Sequence, residues 1–203
     1  MSKGYGGRLV VEIEEPDGRN LRRATNRQAV LDALVELFGE GRYQPSTAEI
    51  AERAGISPRS LFRYFDDLDD LVRAAIEQSL AAARPLFDHD IDPAAPTGQK
   101  IAAFVAARSR LFEAIGPSAR AGRASAHRHP ALARQIHDGR SYLRRELRRT
   151  FAPELAGRPA GLLPALDALT QFESYELLRH DQRLSARRAT DAVALAMTTL
   201  LAP

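Results

Sequence analysis

The chain contains no cysteine, which excludes disulfides and thiolate metal sites and fits a reducing compartment. No apolar run approaches the ~20 residues needed to span a bilayer. The opening residues MSKGYGGRLVV carry neither a long apolar segment nor a cleavage site, so no secretory signal is expected and a cytoplasmic location is. Lysine is almost missing: Lys3 and Lys100 stand against a large excess of arginine. No nucleophile elbow, phosphate loop or metal-ligand spacing occurs. The expectation is therefore a non-enzyme with no cofactor and no metal. His127 and His129 are two apart, a spacing that points them to different sides of a helix. His89, flanked by Asp88, Asp90 and Asp92, reads as part of a solvated acidic loop, because those ligands do not converge on one face.

What is present is enough for one large or two small domains: 203 residues, 44% of them hydrophobic. The net charge of +3 is unevenly placed, with −2 on residues 1–84 and +5 on residues 85–203. Any attraction for a polyanion in the first half must come from local arrangement rather than overall charge.

The most informative stretch is Ser46–Phe65, STAEIAERAGISPRSLFRYF. Ser46 or Thr47 can cap a helix, and Glu49 completes a capping box with Ser46. Ile50, Ala51 and Ala54 share one face, and Gly55 stands where a left-handed residue ends the helix. Ile56 is placed to be buried in the turn. Ser57 is an N-cap and Pro58 takes the first helical position, where its missing N–H costs nothing. Leu61 and Phe65 then point inward, and Arg59, Ser60, Arg63 and Tyr64 point outward. This is a helix-turn-helix pattern, although a plain helical hairpin in a bundle shares its turn.

Residues 1–24 read as an N-terminal arm. Leu9, Val11 and Ile13 alternate like a weak strand, and Glu15-Pro16-Asp17-Gly18 is a turn sequence. Arg19, Arg22, Arg23 and Arg27 could lie on phosphates or in a minor groove, or be a solvated arm. Residues 25–84 form the helix-turn-helix domain. Its first helix is expected at Asn26–Phe38, capped by Thr25 or Asn26, and its fourth runs from an Asp67 cap to about Arg84. Residues 85–203 form a second helical domain. Helices are expected at Thr97–Ile115, broken by Gly116-Pro117, then at Ser118–Arg128, Ala131–Phe151, Ala160–His180 and Ser185–Leu201. The last two, joined by a short loop, should pack antiparallel, and their wide apolar faces suit an isologous dimer. The predicted fold is all-α, with about nine helices. Phe104, Arg108, Phe112, Tyr142, Phe172 and Tyr175 are candidates for a pocket among the middle helices, though each also suits a core. Arg108 on an apolar face needs a partner, either an acidic ligand or one of Glu113, Asp138 and Glu173.

Arg27–Leu80 resembles the DNA-binding domain of the TetR family of transcriptional regulators. The resemblance is carried by TAEIAERAGISPRSLFRYFDDLDDL and the following LVRAAIEQ, while the remainder after Pro85 matches only in organisation. It implies a homodimer that binds a double-stranded operator with its third helix in the major groove, tuned by a small-molecule effector, in a bacterial cytoplasm near the nucleoid. The implied contacts come from Arg59 and Ser60, from Arg63 beside the groove, from Tyr64 on a phosphate, and from the helix start at Thr47. Ser57 and Pro58 open the same helix, and Arg23 and Arg27 could add phosphate contacts. Two positions depart from the family pattern. Phe62 replaces a frequent Tyr, and Leu68, among Asp66, Asp67, Asp69 and Asp70, replaces a frequent Lys. Both imply weaker phosphate clamping there. The rival class is a helical protein-binding adaptor without DNA binding.

Overall fold

A computed structural model describes residues 18–87 and 91–202. The strand-like alternation at Leu9–Ile13, the residues Glu15–Asp17 and His89 lie outside the described residues. All regular structure among the described residues is helical: α1 (Gly18–Gly39), α2 (Thr47–Arg53), α3 (Pro58–Leu61), α4 (Leu68–Ala82), α5 (Thr97–Ser125), α6 (Pro130–Thr150), α7 (Ala152–Leu155), α8 (Leu162–Leu169), α9 (Phe172–Glu176) and α10 (Ala186–Leu201).

The short helices follow their local grammar. Ser46 Oγ accepts the Glu49 N–H at 3.3 Å, and Glu49 Oε2 accepts the Ser46 N–H at 2.8 Å, so the capping box closes. Gly55 takes φ +67° after α2, a conformation that costs other residues about 1–2 kcal/mol. Ser57, Asp67 and Ser185 cap α3, α4 and α10 with their side-chain oxygens. Three buried groups then fill the interior. One joins Val30, Leu34 and Phe38 of α1 to Ile50, Leu61, Phe65 and Leu71, and it recruits Ala121 and Leu132 from the second domain. A core too small to stand alone is thus completed by α5 and α6. The others centre on Phe104, Leu147, Phe151, Val193 and Met197, and on Leu111, Phe112, Leu143, Phe172 and Tyr175.

Three expectations are corrected. α1 begins at Gly18, eight residues before Asn26. Neither Thr25 nor Asn26 caps it, because the Thr25 hydroxyl donates back to the Leu21 carbonyl at 2.9 Å and Asn26 turns to Tyr64. α5 runs unbroken through Gly116-Pro117 as a helix of 29 residues. The proline deletes one helical hydrogen bond at a cost of roughly 3 kcal/mol. Gly116, Ser118, Ala121 and Gly122 are nonetheless buried on either side of it, and Ser118 Oγ donates to Ser79 Oγ on α4 at 2.7 Å. Burial holds the helix together where the local signal says stop. The expected helix Ala160–His180 is instead divided into α8, α9 and a π-helical turn at Leu177–Asp181. Thr170 Oγ donates to the Leu166 carbonyl at 2.8 Å and Gln171 is extended, at φ −83° and ψ 164°. The hydroxyl offers the backbone an alternative partner at that point.

Candidate nucleic-acid interface and internal cavity

The single turn of α3 and the residues that follow it present a narrow basic surface. Arg59, Phe62 and Arg63 are exposed, Phe62 to 50%. Ser57 and Pro58 are exposed, and Ser60 is half-buried with its Oγ 2.9 Å from Ser57 Oγ. Thr47 is half-buried at the first residue of α2, released from capping by Ser46. Tyr64 is fixed by Asn26, whose Nδ2 donates to the phenol oxygen at 3.1 Å. The extension of α1 adds an unforeseen wall: Asn20, Arg22, Arg23 and Asn26 face Arg63 and Tyr64 across an open recess of about 670 Å³ with no acidic lining. Arg27 is not part of that recess; its guanidinium lies 4.8 Å from the centre of the Phe65 ring. The geometry therefore gathers Arg22, Arg23, Arg63 and Tyr64 and leaves Arg59 outside the recess; α3 ends at Leu61, so Arg63 and Tyr64 stand on the turn after it, and Phe65, expected on that helix, lies beyond it.

The neighbouring acidic groups are mostly engaged. Asp67 caps α4, and Asp70 accepts from the Asp66 N–H and pairs with Arg73. Asp69 Oδ1 is 2.9 Å from His129 Nε2. Glu40 and Glu36 hold Arg53 at 2.8 and 3.4 Å; the hydrogen bond from Arg53 pulls the Glu40 carboxyl below its ordinary range. Glu49 binds Arg42 and the Ser46 cap. Among the described residues, Arg22, Arg23, Arg59 and Arg63 have no ion-pair partner, so the net charge of −2 over residues 1–84 hides a locally positive face.

A second feature lies between the domains. A cavity of about 120 Å³ is walled by Ile76 and Leu80 of α4, Ile115, Ser118, Gly122 and Arg123 of α5, and Gln135, Gly139 and Leu143 of α6, with Phe112, Gln171 and Phe172. Of the six aromatic and arginine candidates, only Phe112 and Phe172 line it, their rings edge to face at 5.5 Å. Phe104 is fully buried and packs edge-on against Phe151 at 5.4 Å. Tyr142 packs edge-on against Phe87 at 5.9 Å. Tyr175 donates to Glu113 Oε1 at 2.7 Å, and burial raises its phenol pKa. Arg108 pairs with Glu146 at 3.0 Å rather than with Glu113, Asp138 or Glu173, and burial lowers its pKa to about 10 against the opposing pull of Glu146. The sequence signal for that pairing was Glu146 on the apolar side of α6, between Leu143 and Leu147. The α4 wall and the small residues Gly122 and Gly139 had no chemical signature to find.

Side chains tie the two domains together around this cavity. Arg120 donates through Nε to the Tyr43 hydroxyl at 2.6 Å, just before α2, and through Nη1 to Glu176 at 3.0 Å. Ile76 Cδ1 lies 3.4 Å from where a Cβ on Gly122 would sit. At the cavity edge Glu173 holds Arg123 at 2.8 Å and also binds Arg140. Burial pushes the Glu173 carboxyl up, but these bonds outweigh it and leave it below its ordinary range.

These features define an all-helical protein that joins a helix-turn-helix domain to a larger helical domain through α4. Residues 30–75 match the sequence model of the bacterial regulatory proteins of the tetR family, a stretch that lies within the sequence resemblance at Arg27–Leu80. No curated protein matches the chain. Among solved structures, a transcriptional regulator from Rhodococcus sp. Rha1 is similar with a TM-score of 0.67 at 18% identity, covering 86% of this chain and 95% of its own. A tetR-family transcriptional regulator from Streptomyces coelicolor gives 0.64 at 19%, covering 86% and 81%. The multidrug binding protein EbrR, complexed with imidazole, gives 0.57 at 22%, covering 93% and 97%. At these identities the likeness is one of fold. Among the described residues no helix is long and apolar enough to cross a membrane.

Proposed function

We propose that this protein is a sequence-specific, DNA-binding transcriptional repressor that acts as a homodimer and responds to a small molecule in a bacterial cytoplasm. The observation that carries the reading is the unpaired basic face formed by Arg22, Arg23, Arg59 and Arg63 on a helix-turn-helix of the TetR family. Arg59 would read a base edge, and Ser60, Tyr64 and the N–H groups at Thr47 would hold phosphates. Two copies would meet through α10 and the segment from α8 to the π-helical turn after α9, where Leu195, Leu200 and Leu177 are exposed. Their recognition helices would then have to fall one DNA turn apart, about 34–36 Å.

The effector would occupy the cavity walled by α4. A ligand that alters the seating of Ile76 and Leu80 alters the angle at which α4 carries α3. Its differential affinity for the two arrangements would change operator affinity by roughly 5–150-fold. EbrR, a multidrug binding protein seen with imidazole, has a similar fold. The test is retardation of the DNA flanking the protein's own gene on a native gel, with unrelated DNA as competitor. Specific retardation supports the regulator. No retardation of any DNA at low salt would sink it in favour of the protein-binding adaptor.

A further inference from the structure

Beside the main cavity lies a second space of about 10 Å³, lined by Val105, Arg108, Ser109, Gln171 and Tyr175 among others. Phe112 and Gln171 line both spaces. The smaller one is polar in an unusual way. Arg108 is only 4% exposed, yet its Nε and Nη1 have no hydrogen-bond partner. Its Nη2 donates to the Leu143 carbonyl at 2.6 Å and pairs with Glu146, and its guanidinium carbon lies 4.8 Å from the centre of the Phe104 ring. Gln171 donates to Asp167 at 2.7 Å through Nε2, but its Oε1 is buried without a partner. Donors and an acceptor left unmatched in one buried place cost about 1–3 kcal/mol each. Gln171 also sits at the break between α8 and α9, where the backbone turns extended.

We propose that Arg108 and Gln171 are the polar end of the effector site, and that the effector is a small neutral alcohol or phenol with an apolar ring or short chain. This names the ligand class of the cavity proposed above and rests on that reading. Of a hydroxyl, a carboxylate and a hydrocarbon, only the hydroxyl accepts from Arg108 and donates to Gln171 Oε1 at once. A carboxylate accepts but does not donate, and it adds a buried negative charge where Glu146 at 3.0 Å already matches the guanidinium. A pure hydrocarbon leaves all these groups unmatched. The larger space, about 120 Å³, sets the body at about the size of benzene, since a cavity of ~150 Å³ accepts that ring. Phe112, Phe172, Ile76, Leu80 and Leu143 supply its apolar walls.

The test is calorimetric titration of the full chain with p-cresol, toluene and p-toluate, which share a ring and differ in the polar end. The expected result is p-cresol binding at least ten-fold more tightly than either of the others. In Gln171→Leu, whose folding is checked by its thermal melt, p-cresol should fall to within three-fold of toluene, with toluene unchanged. Toluene or p-toluate binding as tightly as p-cresol overturns the proposal, as does Gln171→Leu binding p-cresol like the parent, or no binding of any of the three. The wild-type comparison decides the ligand class even if the variant fails to fold. Retardation of DNA without p-cresol binding overturns this inference alone. Binding of p-cresol by a protein that retards no DNA overturns the regulator and leaves the site.

Discussion

Arg59 stands on a helix of one turn, held at its start by Ser57 and Pro58 and at its base by Leu61. Its side chain is exposed and makes no hydrogen bond or ion pair among the described residues, so Arg59→Ala should act on DNA binding through the interface rather than through folding. The expected loss is about 1–3 kcal/mol of operator affinity, concentrated at one base pair. Titration against a panel of single-base operator variants measures it; a uniform loss would reassign Arg59 to a phosphate. Arg108 is the opposite case. Its pair with Glu146 is buried on both sides, and removing either partner alone leaves a charge inside the protein, a loss of about 3–5 kcal/mol. That is why the ligand test above alters Gln171 instead.

At the level of helices, the extension of α1 matters most for DNA. It turns arginines that the sequence assigns to an arm into a rigid wall opposite Arg63 and Tyr64. If Arg22 and Arg23 neutralise phosphates, replacing both by alanine removes two contacts. The slope of log affinity against log salt should then flatten by ~1.8 per protomer, at about 0.9 per phosphate. Fluorescence anisotropy from 50 to 200 mM salt would show it, and an unchanged slope would remove α1 from the interface. The starts of α2, α3 and α4 were legible because each is written within four residues: Ser46 with Glu49, Ser57 with Pro58, and Asp67 with Asp69 and Asp70. α5 and α8–α9 were not. In α5 a strong local breaker loses to burial on both flanks. In α8–α9 a weak hydroxyl competitor at Thr170 wins, and the Ala168 carbonyl next to it is taken by Ser174 Oγ at 2.6 Å.

Over the whole molecule, two measurements probe how the parts hold together. Leu195 is 69% exposed on α10, a poor place for a leucine in a monomer. Leu195→Glu should leave the thermal melt within a few degrees while shifting the chain from dimer to monomer in light scattering, with operator affinity lost in parallel. A parent protein that is already monomeric would refute the homodimer. Acid should act through Glu113, Glu154 and Glu173. Arg179 pulls Glu113 down, and burial raises Glu154 and Glu173 less than their hydrogen bonds from Lys100 and from Arg140 and Arg123 lower them. Since each folded carboxyl titrates below its unfolded value, it binds fewer protons than the unfolded chain does. Its contribution is complete above about pH 4.5 and drains away as pH falls through the folded values. The melting temperature should therefore change little from pH 7 to 5 and fall below that, and Glu113→Gln should blunt the fall. A melting temperature that does not fall between pH 4.5 and 3 would show that these bonds do not contribute to stability.

The sequence by itself determined the helical class, the helix-turn-helix with its caps, and the outward placing of Arg59 and Arg63. Each of these depends on residues three or four apart, whose interactions the chain carries locally. Tyr64, read as outward, is half-buried against the first core. The tertiary structure alone decided that α5 passes through Pro117, that Gln171 breaks the following helix, that Arg108 meets Glu146, and that the cavity opens against α4. Those outcomes are set by competition between a local cost of a few kcal/mol and burial against segments distant in sequence, and no window of sequence contains both sides of that balance.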